Sequence, residues 1–260
     1  MGERTQYTPG TFSWVDLSTT DQDAAKTFYS QLFGWEATDN QVDEDTVYSM
    51  MSLGGKQVAA ISPQPQQQRD AGVPPTWNSY ITVESADQSL ERAQQLGATI
   101  HAAAFDVLDV GRMGVVQDPQ GAFFLLWEPK SHIGAGLVNA PGALSWNELA
   151  STDMEGSAKF YGELFGWIVE PLEGSEMPYM TIKAAAGHSN GGIRPVLPPG
   201  APPHWLVYFG IEDVQAGMER VQELGGSNLI GPQAVGPGQL GIVQDPQGAT
   251  FALYSGRFDE

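Results

Sequence analysis

The sequence predicts an α+β protein in which one strand–helix–strands unit occurs four times, arranged as two pairs. The segment from Pro9 to Trp35 is repeated without a gap 132 residues later, from Pro141 to Trp167, and 13 of the 27 positions are identical. A second segment, from Pro74 to Ala98, is repeated from Pro202 to Gly226. The helical stretches of the four units end at Gly34, Gly97, Gly166 and Gly225.

The first repeated segment reads as a strand followed by a helix. Side chains from Phe12 to Leu17 alternate between two faces, as in a strand. The helix is expected to begin at Thr20 or Asp21, whose side chain can accept hydrogen bonds from the free N–H groups of the first turn. Glycine at position 34 suits the left-handed conformation that ends a helix. The apolar face of this helix consists of Ala25, Phe28, Tyr29, Leu32 and Phe33.

The rest of the first pair of units follows the same reading. Two short apolar runs flank the Gly54-Gly55 pair, which is typical of a hairpin turn. Beyond a Pro- and Gln-rich connector, a strand begins at Trp77 and a helix runs from Ala86 to Leu96. The DPQG motif beginning at Asp118 then predicts a tight turn before the final strand.

Two domains are therefore expected. Residues 1–131 form the first, with units at about 9–63 and 74–130, and residues 132–260 form the second, with units at about 141–197 and 202–257. The boundary is placed where a glycine-rich stretch, residues 130–142, shows no period.

Composition limits the possible partners. The 260 residues include 12 basic and 31 acidic side chains, for a formal charge of −19, which disfavours nucleic acid and anionic membrane surfaces. There is no cysteine, so disulfides and thiolate chemistry are excluded. No apolar run reaches membrane-spanning length and the N-terminal stretch lacks a signal-peptide core, so a cytoplasmic protein, monomeric or homodimeric, is expected.

The repeated unit, with its FYxxLFGW helix end and its DPxG turn, resembles the βαβββ module of the vicinal oxygen chelate superfamily, which includes glyoxalases, bleomycin-resistance proteins and extradiol dioxygenases. The SWVDL and SWNEL strands most resemble its two-domain branch of culture-filtrate antigens and hydroxylase-like proteins. The resemblance covers nearly the whole chain. It implies that each pair of units closes into a cup-shaped sheet, with helices outside and the ligand inside.

Strand alternation indicates which side chains face these cups. The first cup is expected to contain Phe12, Trp14, Asp16, Asn78, Tyr80, Phe123, Leu125 and Trp127. The second is expected to contain Trp146, Glu148, Leu206, Tyr208, Ala252 and Tyr254. Arg112 and Arg194 are candidates for pairing with the two acids.

Metal-dependent members of the superfamily place His, Gln or Glu at three positions of each cup. Counting from the repeats, these positions are occupied here by Trp14, Asn78 and Leu125, and by Trp146, Leu206 and Ala252. Most of these side chains cannot coordinate a divalent ion. The four histidines, at positions 101, 132, 188 and 204, are expected in ordinary surface or loop roles. No metal and no other cofactor is therefore predicted.

Three functions are consistent with this pattern. The first is metal-free binding of a small aromatic or partly apolar molecule, with Trp14, Asn78, Tyr80, Trp127, Arg112, Trp146, Tyr208 and Tyr254 as ligand-binding candidates. The second is a metal-independent lyase, isomerase or hydroxylase-like enzyme that uses Asp16 or Glu148 as a catalytic base. The third is a metal-dependent glyoxalase or dioxygenase relative. The aromatic side chains can equally serve only as packed core.

Overall fold

A computed structural model describes residues 2–43, 46–175, 177–198, 200–236 and 238–258. The elements of the first half are β1 (Gly2–Glu3), β2 (Phe12–Thr19), α1 (Gln22–Phe33), β3 (Glu36–Gln41), β4 (Val47–Leu53), β5 (Lys56–Pro63), α2 (Gln66–Asp70), β6 (Thr76–Thr82), α3 (Ala86–Gln95), β7 (Thr99–Val107), β8 (Gly111–Gln117) and β9 (Phe123–Pro129). The elements of the second half are β10 (Leu137–Val138), β11 (Leu144–Ser151), α4 (Met154–Phe165), β12 (Ile168–Pro171), β13 (Met180–Lys183), β14 (Ser189–Pro195), β15 (His204–Gly210), α5 (Val214–Glu223), β16 (Ser227–Val235), β17 (Gly238–Gln244) and β18 (Thr250–Ser255).

Two eight-stranded sheets with the same topology contain most of these strands. The strand order of the first sheet is β3-β4-β5-β2-β6-β9-β8-β7, and that of the second is β12-β13-β14-β11-β15-β18-β17-β16. In each sheet the first strands of two units pair antiparallel at the centre, β2 with β6 and β11 with β15. The predicted α+β fold, with four units paired into two similar domains, is confirmed.

The helices that follow the first strands begin and end alike. Asp21 accepts a hydrogen bond from the N–H of Ala24 at 3.0 Å, and α1 ends at Gly34 with φ 75°. In α4, Asp153 caps in the same way and Gly166 has φ 71°. Each of these helices has 12 residues. No helix in the described ranges combines the length and apolarity needed to cross a membrane.

The two halves pack through the aromatic sides of α1 and α4. The ring of Phe33 lies 5.2 Å from Phe209 on β15, and Tyr29 lies 5.5 Å from Phe251 on β18. Helix α4 makes the equivalent contact with Phe124 on β9. The helix-bearing faces of the sheets thus meet, and the cup faces point away from the interface.

Each interface helix also takes part in a buried chain of hydrogen bonds. The indole N–H of Trp77 donates to the hydroxyl of Tyr29 at 3.0 Å, and this hydroxyl donates to Asp245 Oδ2 of the other half at 3.0 Å. Asp245 lies in the DPQG turn of the second half, where its Oδ1 accepts backbone N–H groups of the same turn. The same arrangement links α4 to the first half: the indole N–H of Trp205 donates to the hydroxyl of Tyr161, and this hydroxyl donates to Asp118 Oδ2.

A β-bulge changes the direction of one predicted cup residue. The pairing of β2 with β6 shifts between Phe12, which lies opposite Ile81, and Trp14, which lies opposite Tyr80. Phe12 therefore points to the interface, where its ring packs 4.9 Å from Trp205. Its predicted place in the first cup is wrong, because strict alternation does not continue through a bulge.

Candidate functional site

The centre of the first cup is the carboxyl group of Asp16, which is 5% exposed. Its Oδ1 accepts a hydrogen bond from Asn78 Nδ2 at 2.8 Å. Its Oδ2 accepts hydrogen bonds from the hydroxyls of Tyr80 at 2.6 Å and Tyr48 at 3.1 Å. Strands β2, β4 and β6 bring these four side chains together, and all the donors are uncharged.

Two tryptophans form the aromatic wall around this carboxyl group. Trp14 donates its indole N–H to the hydroxyl of Tyr48 at 3.0 Å, and Trp127 lies edge-on to Tyr80 at a centroid distance of 6.3 Å. Both indoles are buried. The polar hydroxyls therefore point inward to Asp16, while the ring surfaces present an apolar lining.

Burial raises the pKa of Asp16 above its usual range. The hydrogen bonds from Tyr80, Asn78 and Tyr48 favour the ionised form and oppose this shift only in part. The same burial, with the nearby carboxylate, raises the pKa of Tyr48 and Tyr80 well above 10. The two phenols therefore remain hydrogen-bond donors at any physiological pH.

His132 lies in the loop after β9, and it packs in the first cup rather than being exposed at the surface. Its ring packs edge-on against Trp14 at 4.6 Å and against Trp127 at 5.8 Å. The indole N–H of Trp127 donates to the His132 carbonyl at 2.9 Å. Burial lowers the pKa of His132 to about 4, so the imidazole is neutral at pH 7. Its Nε2 is buried and has no hydrogen-bond partner among the described residues.

The chain between the halves brings His132 to this position. After β9, the backbone passes back over β2, where the N–H of Ala135 donates to the carbonyl of Ser13 at 2.7 Å. Gly134, with φ 111°, allows this close approach, because a Cβ there would lie 2.4 Å from the Ser13 carbonyl oxygen. The glycines that mark the connector in the sequence are thus a usable signal for a segment packed against a strand.

The second cup is built on Glu148, and its electrostatics differ. Arg194 Nε donates to Glu148 Oε1 at 2.5 Å in a largely buried ion pair. The hydroxyls of Tyr179 and Tyr208 also interact with this carboxylate. Trp146 donates its indole N–H to Tyr179 at 3.1 Å, as Trp14 does to Tyr48 in the first cup. Both cups therefore contain the same set of groups: a carboxyl group, two phenol hydroxyls and an indole.

Three positions distinguish the cups. Opposite the acid, Asn78 in the first cup corresponds to Leu206 in the second. Trp127 corresponds to Tyr254, which is half-buried. Arg194 corresponds to Ser62 on β5. The first cup therefore has an acid with neutral donors, whereas the second has an acid with a cation.

Arg112 was expected beside an acid of the cup, and the structure corrects this prediction. Its Nε donates to Asp87 of α3 at 2.8 Å, and a second contact joins it to Asp106 at 3.5 Å. Both carboxylates lie outside the first cup. The neighbouring residue of β8, Met113, lies opposite Trp127, so Arg112 is on the helix side of the sheet.

Tyr48, Tyr179 and Arg194 complete the sites, and the sequence analysis did not name them as ligand-binding residues. The two tyrosines come from the outer hairpins, where the sequence fixes strand register weakly. A usable signal is that Tyr48, near the start of β4, and Tyr179, directly before β13, occur at the beginning of the same hairpin in the two repeats. The other predicted cup residues, Trp14, Asp16, Asn78, Tyr80, Trp127, Trp146, Glu148, Tyr208 and Tyr254, lie on the expected faces; their roles in binding stay predictions.

The side chains in the cups do not fit a divalent metal. Across the described ranges, no group of three or more His, Cys, Asp or Glu side chains is arranged to hold an ion. Each cup offers one carboxylate, and the oxygens of Asp16 already accept three hydrogen bonds. In the second cup the guanidinium of Arg194 beside Glu148 repels a cation.

Comparison with known proteins assigns the chain to a family. The model of the "Glyoxalase/Bleomycin resistance protein/Dioxygenase superfamily" matches residues 11–126 and 143–253. "Putative glyoxylase CFP32" of Mycobacterium tuberculosis is 40% identical over 256 residues, which are 97% of each chain. The "Anthracycline biosynthesis protein DnrV" of Streptomyces peucetius is 31% identical over 263 residues, 96% of this chain and 94% of that protein.

Solved structures share the fold at low identity. The Mn(II)-bound glyoxalase from Novosphingobium aromaticivorans superposes with a TM-score of 0.64 at 16% identity, covering 98% of this chain and 83% of that chain. The 2,3-dioxygenase LapB from Pseudomonas sp. KL28 gives a TM-score of 0.63 at 17% identity, covering 95% and 92%. With both sheets repeating one topology and the family model matching twice, the chain belongs to the glyoxalase/bleomycin resistance protein/dioxygenase superfamily.

Proposed function

We propose that this protein binds a small aromatic or partly apolar molecule in one or both cups without a metal ion. The observation that carries the proposal is the arrangement common to both cups, in which a buried carboxyl group and two phenol hydroxyls lie beneath an indole. Such a site offers a few fixed polar groups within an aromatic wall, which is typical of pockets for flat ligands.

The proposal of metal-free binding rests on donor chemistry. Trp14, Leu125, Trp146, Leu206 and Ala252 occupy positions where metal-dependent relatives would need oxygen or nitrogen donors. The similarity of this chain to a protein named for anthracycline biosynthesis supports an aromatic ligand, since anthracyclines contain fused rings. Metal analysis of protein purified without added metal tests this point, and stoichiometric divalent metal would overturn it.

Indole N–H resonances offer a test of ligand binding within one sample. Naphthalen-2-ylmethanol, a neutral fused-ring alcohol, is titrated into ¹⁵N-labelled protein. We expect shifts at Trp14, Trp146 or both, because their N–H groups bond the tyrosines that contact the acids. The signals of Trp77 and Trp205, which lie at the interface between the halves, should stay in place and serve as the internal control.

Assignment of each signal uses single Trp→Phe variants. Absence of any saturable shift at Trp14 and Trp146, across neutral, cationic and anionic naphthalene derivatives, would show that the aromatic side chains are packed core and would refute the proposal.

A second candidate function is metal-independent proton transfer with Asp16 as the base. The raised pKa of Asp16, which results from burial, favours this residue over Glu148, which is paired with Arg194. The reaction would be of lyase, isomerase or hydroxylase type. If the protein exchanges the methyl protons of bound 2-acetylnaphthalene with D₂O, the Asp16→Asn variant should lose this exchange and keep binding. Equal exchange rates in the variant would exclude Asp16 as the base.

A further inference from the structure

We propose that the second cup binds the anionic oxygen of an aromatic carboxylate through Arg194, and that the first cup rejects such ligands. This inference rests on the proposed function, because it assumes that the cups bind flat molecules, and it adds the charge that each cup selects. It predicts a difference between two sites that share one architecture.

The guanidinium of Arg194 has an edge that the protein leaves available. Its Nε donates to Glu148, and its Nη1 donates to the carbonyl of Pro195 at 3.1 Å. No described residue accepts a hydrogen bond from Nη2. The side chain of Arg194 is 16% exposed, against 7% for Glu148, so the arginine is the more accessible partner of the pair. A carboxylate is the group that the N–H donors of such an edge bind best.

A glycine on the same strand makes room for an aromatic side chain beside Arg194. Gly192 and Arg194 lie on the same face of β14, and Gly192 lies opposite Glu148. A Cβ at Gly192 would overlap the hydroxyl of Tyr179, so the glycine allows the phenol to lie over the strand beside the ion pair. Trp146 and Tyr179 are half-buried, and their rings are accessible to an aromatic ligand next to Arg194.

The first cup lacks each of these features. Ser62 takes the position of Arg194, and no described lysine or arginine pairs with Asp16. Trp14 and Trp127 are buried, and the ring of His132 lies against both. A carboxylate placed there would find no cationic partner, and the ionised form of Asp16 would repel it in a site of low dielectric constant.

The net charge of the protein limits how an anionic ligand can bind. A formal charge of −19 repels anions from the surface as a whole. Selective binding of a carboxylate therefore requires a direct contact within the site. In the second cup, Arg194 provides that contact, and the negative charge of Glu148 is already neutralised by it.

Three naphthalene derivatives of similar size distinguish the effect of ligand charge on affinity from the effect of ligand shape. Naphthalene-2-carboxylate, naphthalen-2-ylmethanol and naphthalen-2-ylmethylamine are titrated into the unmodified protein, and the indole signals of Trp14 and Trp146 are followed separately. We expect the carboxylate to shift Trp146 with an affinity at least about tenfold higher than that of the amine, and to leave Trp14 unchanged. Equal affinities of the carboxylate and the amine at Trp146 would overturn the inference while leaving the proposed function intact.

A variant of Arg194 and a matched control variant test whether the ligand carboxylate contacts this arginine. Arg194→Gln should weaken the carboxylate at least about tenfold and the alcohol less than about threefold, because glutamine keeps a donor for Glu148 and loses the charge. Arg92→Gln removes an exposed arginine on α3 and should leave all three affinities unchanged. An unchanged carboxylate affinity in Arg194→Gln would overturn the inference. If none of the three compounds binds, the proposed function itself fails.

Discussion

Asp16 and Glu148 occupy equivalent positions but have different neighbours, which gives the two carboxyl groups different chemistry. Asp16 is surrounded by uncharged donors, and burial raises its pKa. Glu148 forms a largely buried ion pair with Arg194. A single position, occupied by Ser62 in one sheet and by Arg194 in the other, accounts for most of this difference.

His132→Phe tests the burial of a neutral histidine in the first cup. Because the pKa of His132 is lowered from 6.5 to about 4, the unfolded chain binds a proton first as the pH falls. The stabilising contribution of the neutral imidazole is present above pH 6.5 and is lost between about pH 6.5 and pH 4. We expect the phenylalanine variant to lose less stability across this interval, as measured by urea unfolding at several pH values.

His188→Phe is the control, since this residue is exposed and should leave the pH profile unchanged. Parallel profiles for the unmodified protein and His132→Phe would mean that the imidazole has the same pKa in the folded and unfolded states, and would contradict the expectation.

At the level of single residues, the sequence predicted the centres of the cups better than their edges. Alternation along the central strands placed Trp14 and Asp16 correctly, because one face of those strands must pack on helices. It failed at Phe12, where a bulge reverses the parity. The pairing expected for Arg112, which did not rest on alternation, is wrong because this side chain lies on the helix side of β8. His132 lies in a stretch without a period, so no repeat pattern could place it.

The helices and turns of the repeated units have a role that their sequence alone did not reveal. Their boundaries were predictable, since Asp21 and Gly34 follow capping rules. Their packing across the interface was not predictable, because the apolar face of α1 contacts both halves. The DPQG motif was expected to be a turn, and it also provides a buried carboxylate that binds a tyrosine of the other half.

The Tyr29→Phe variant measures how much one of these hydrogen-bonded links between the halves contributes to stability. Removing the hydroxyl leaves Asp245 Oδ2 and the indole N–H of Trp77 buried without this partner. The expected cost is about 2 kcal/mol in the free energy of unfolding, measured with urea. Tyr161→Phe breaks the equivalent link and should cost a similar amount.

Thr27→Ser, an exposed change on the same helix, is the control and should alter the free energy of unfolding by less than about 0.5 kcal/mol. If Tyr29→Phe is equally neutral, the hydrogen-bond chain contributes little to joining the halves.

For the whole molecule, the division into two similar halves was predictable from the repeat, and their dependence on each other was not. The aromatic side of α1 packs on Phe209 and Phe251, which belong to the other sheet. In addition, Trp35 donates its indole N–H to the carbonyl of Gly142 at 2.7 Å. Each half thus completes its own core with residues of its neighbour.

We expect residues 1–139, produced alone, to self-associate or precipitate, because the aromatic side chains of α1 that pack on the other half would be exposed. Residues 140–260 should behave likewise. When the two fragments are produced together, they should form a stable one-to-one complex with the circular dichroism spectrum of the intact chain. Size-exclusion chromatography with light scattering measures the outcome. A well-folded monomer of either fragment would contradict this expectation.

The path of the chain over the first cup has a consequence for how alike the two cups are. The segment that joins the two halves is a covalent continuation of the first half, and its backbone packs against β2. In this protein the continuation places an imidazole between Trp14 and Trp127. The joining segment therefore gives the first cup a side chain that lies outside the repeated units, and this makes the two cups unequal.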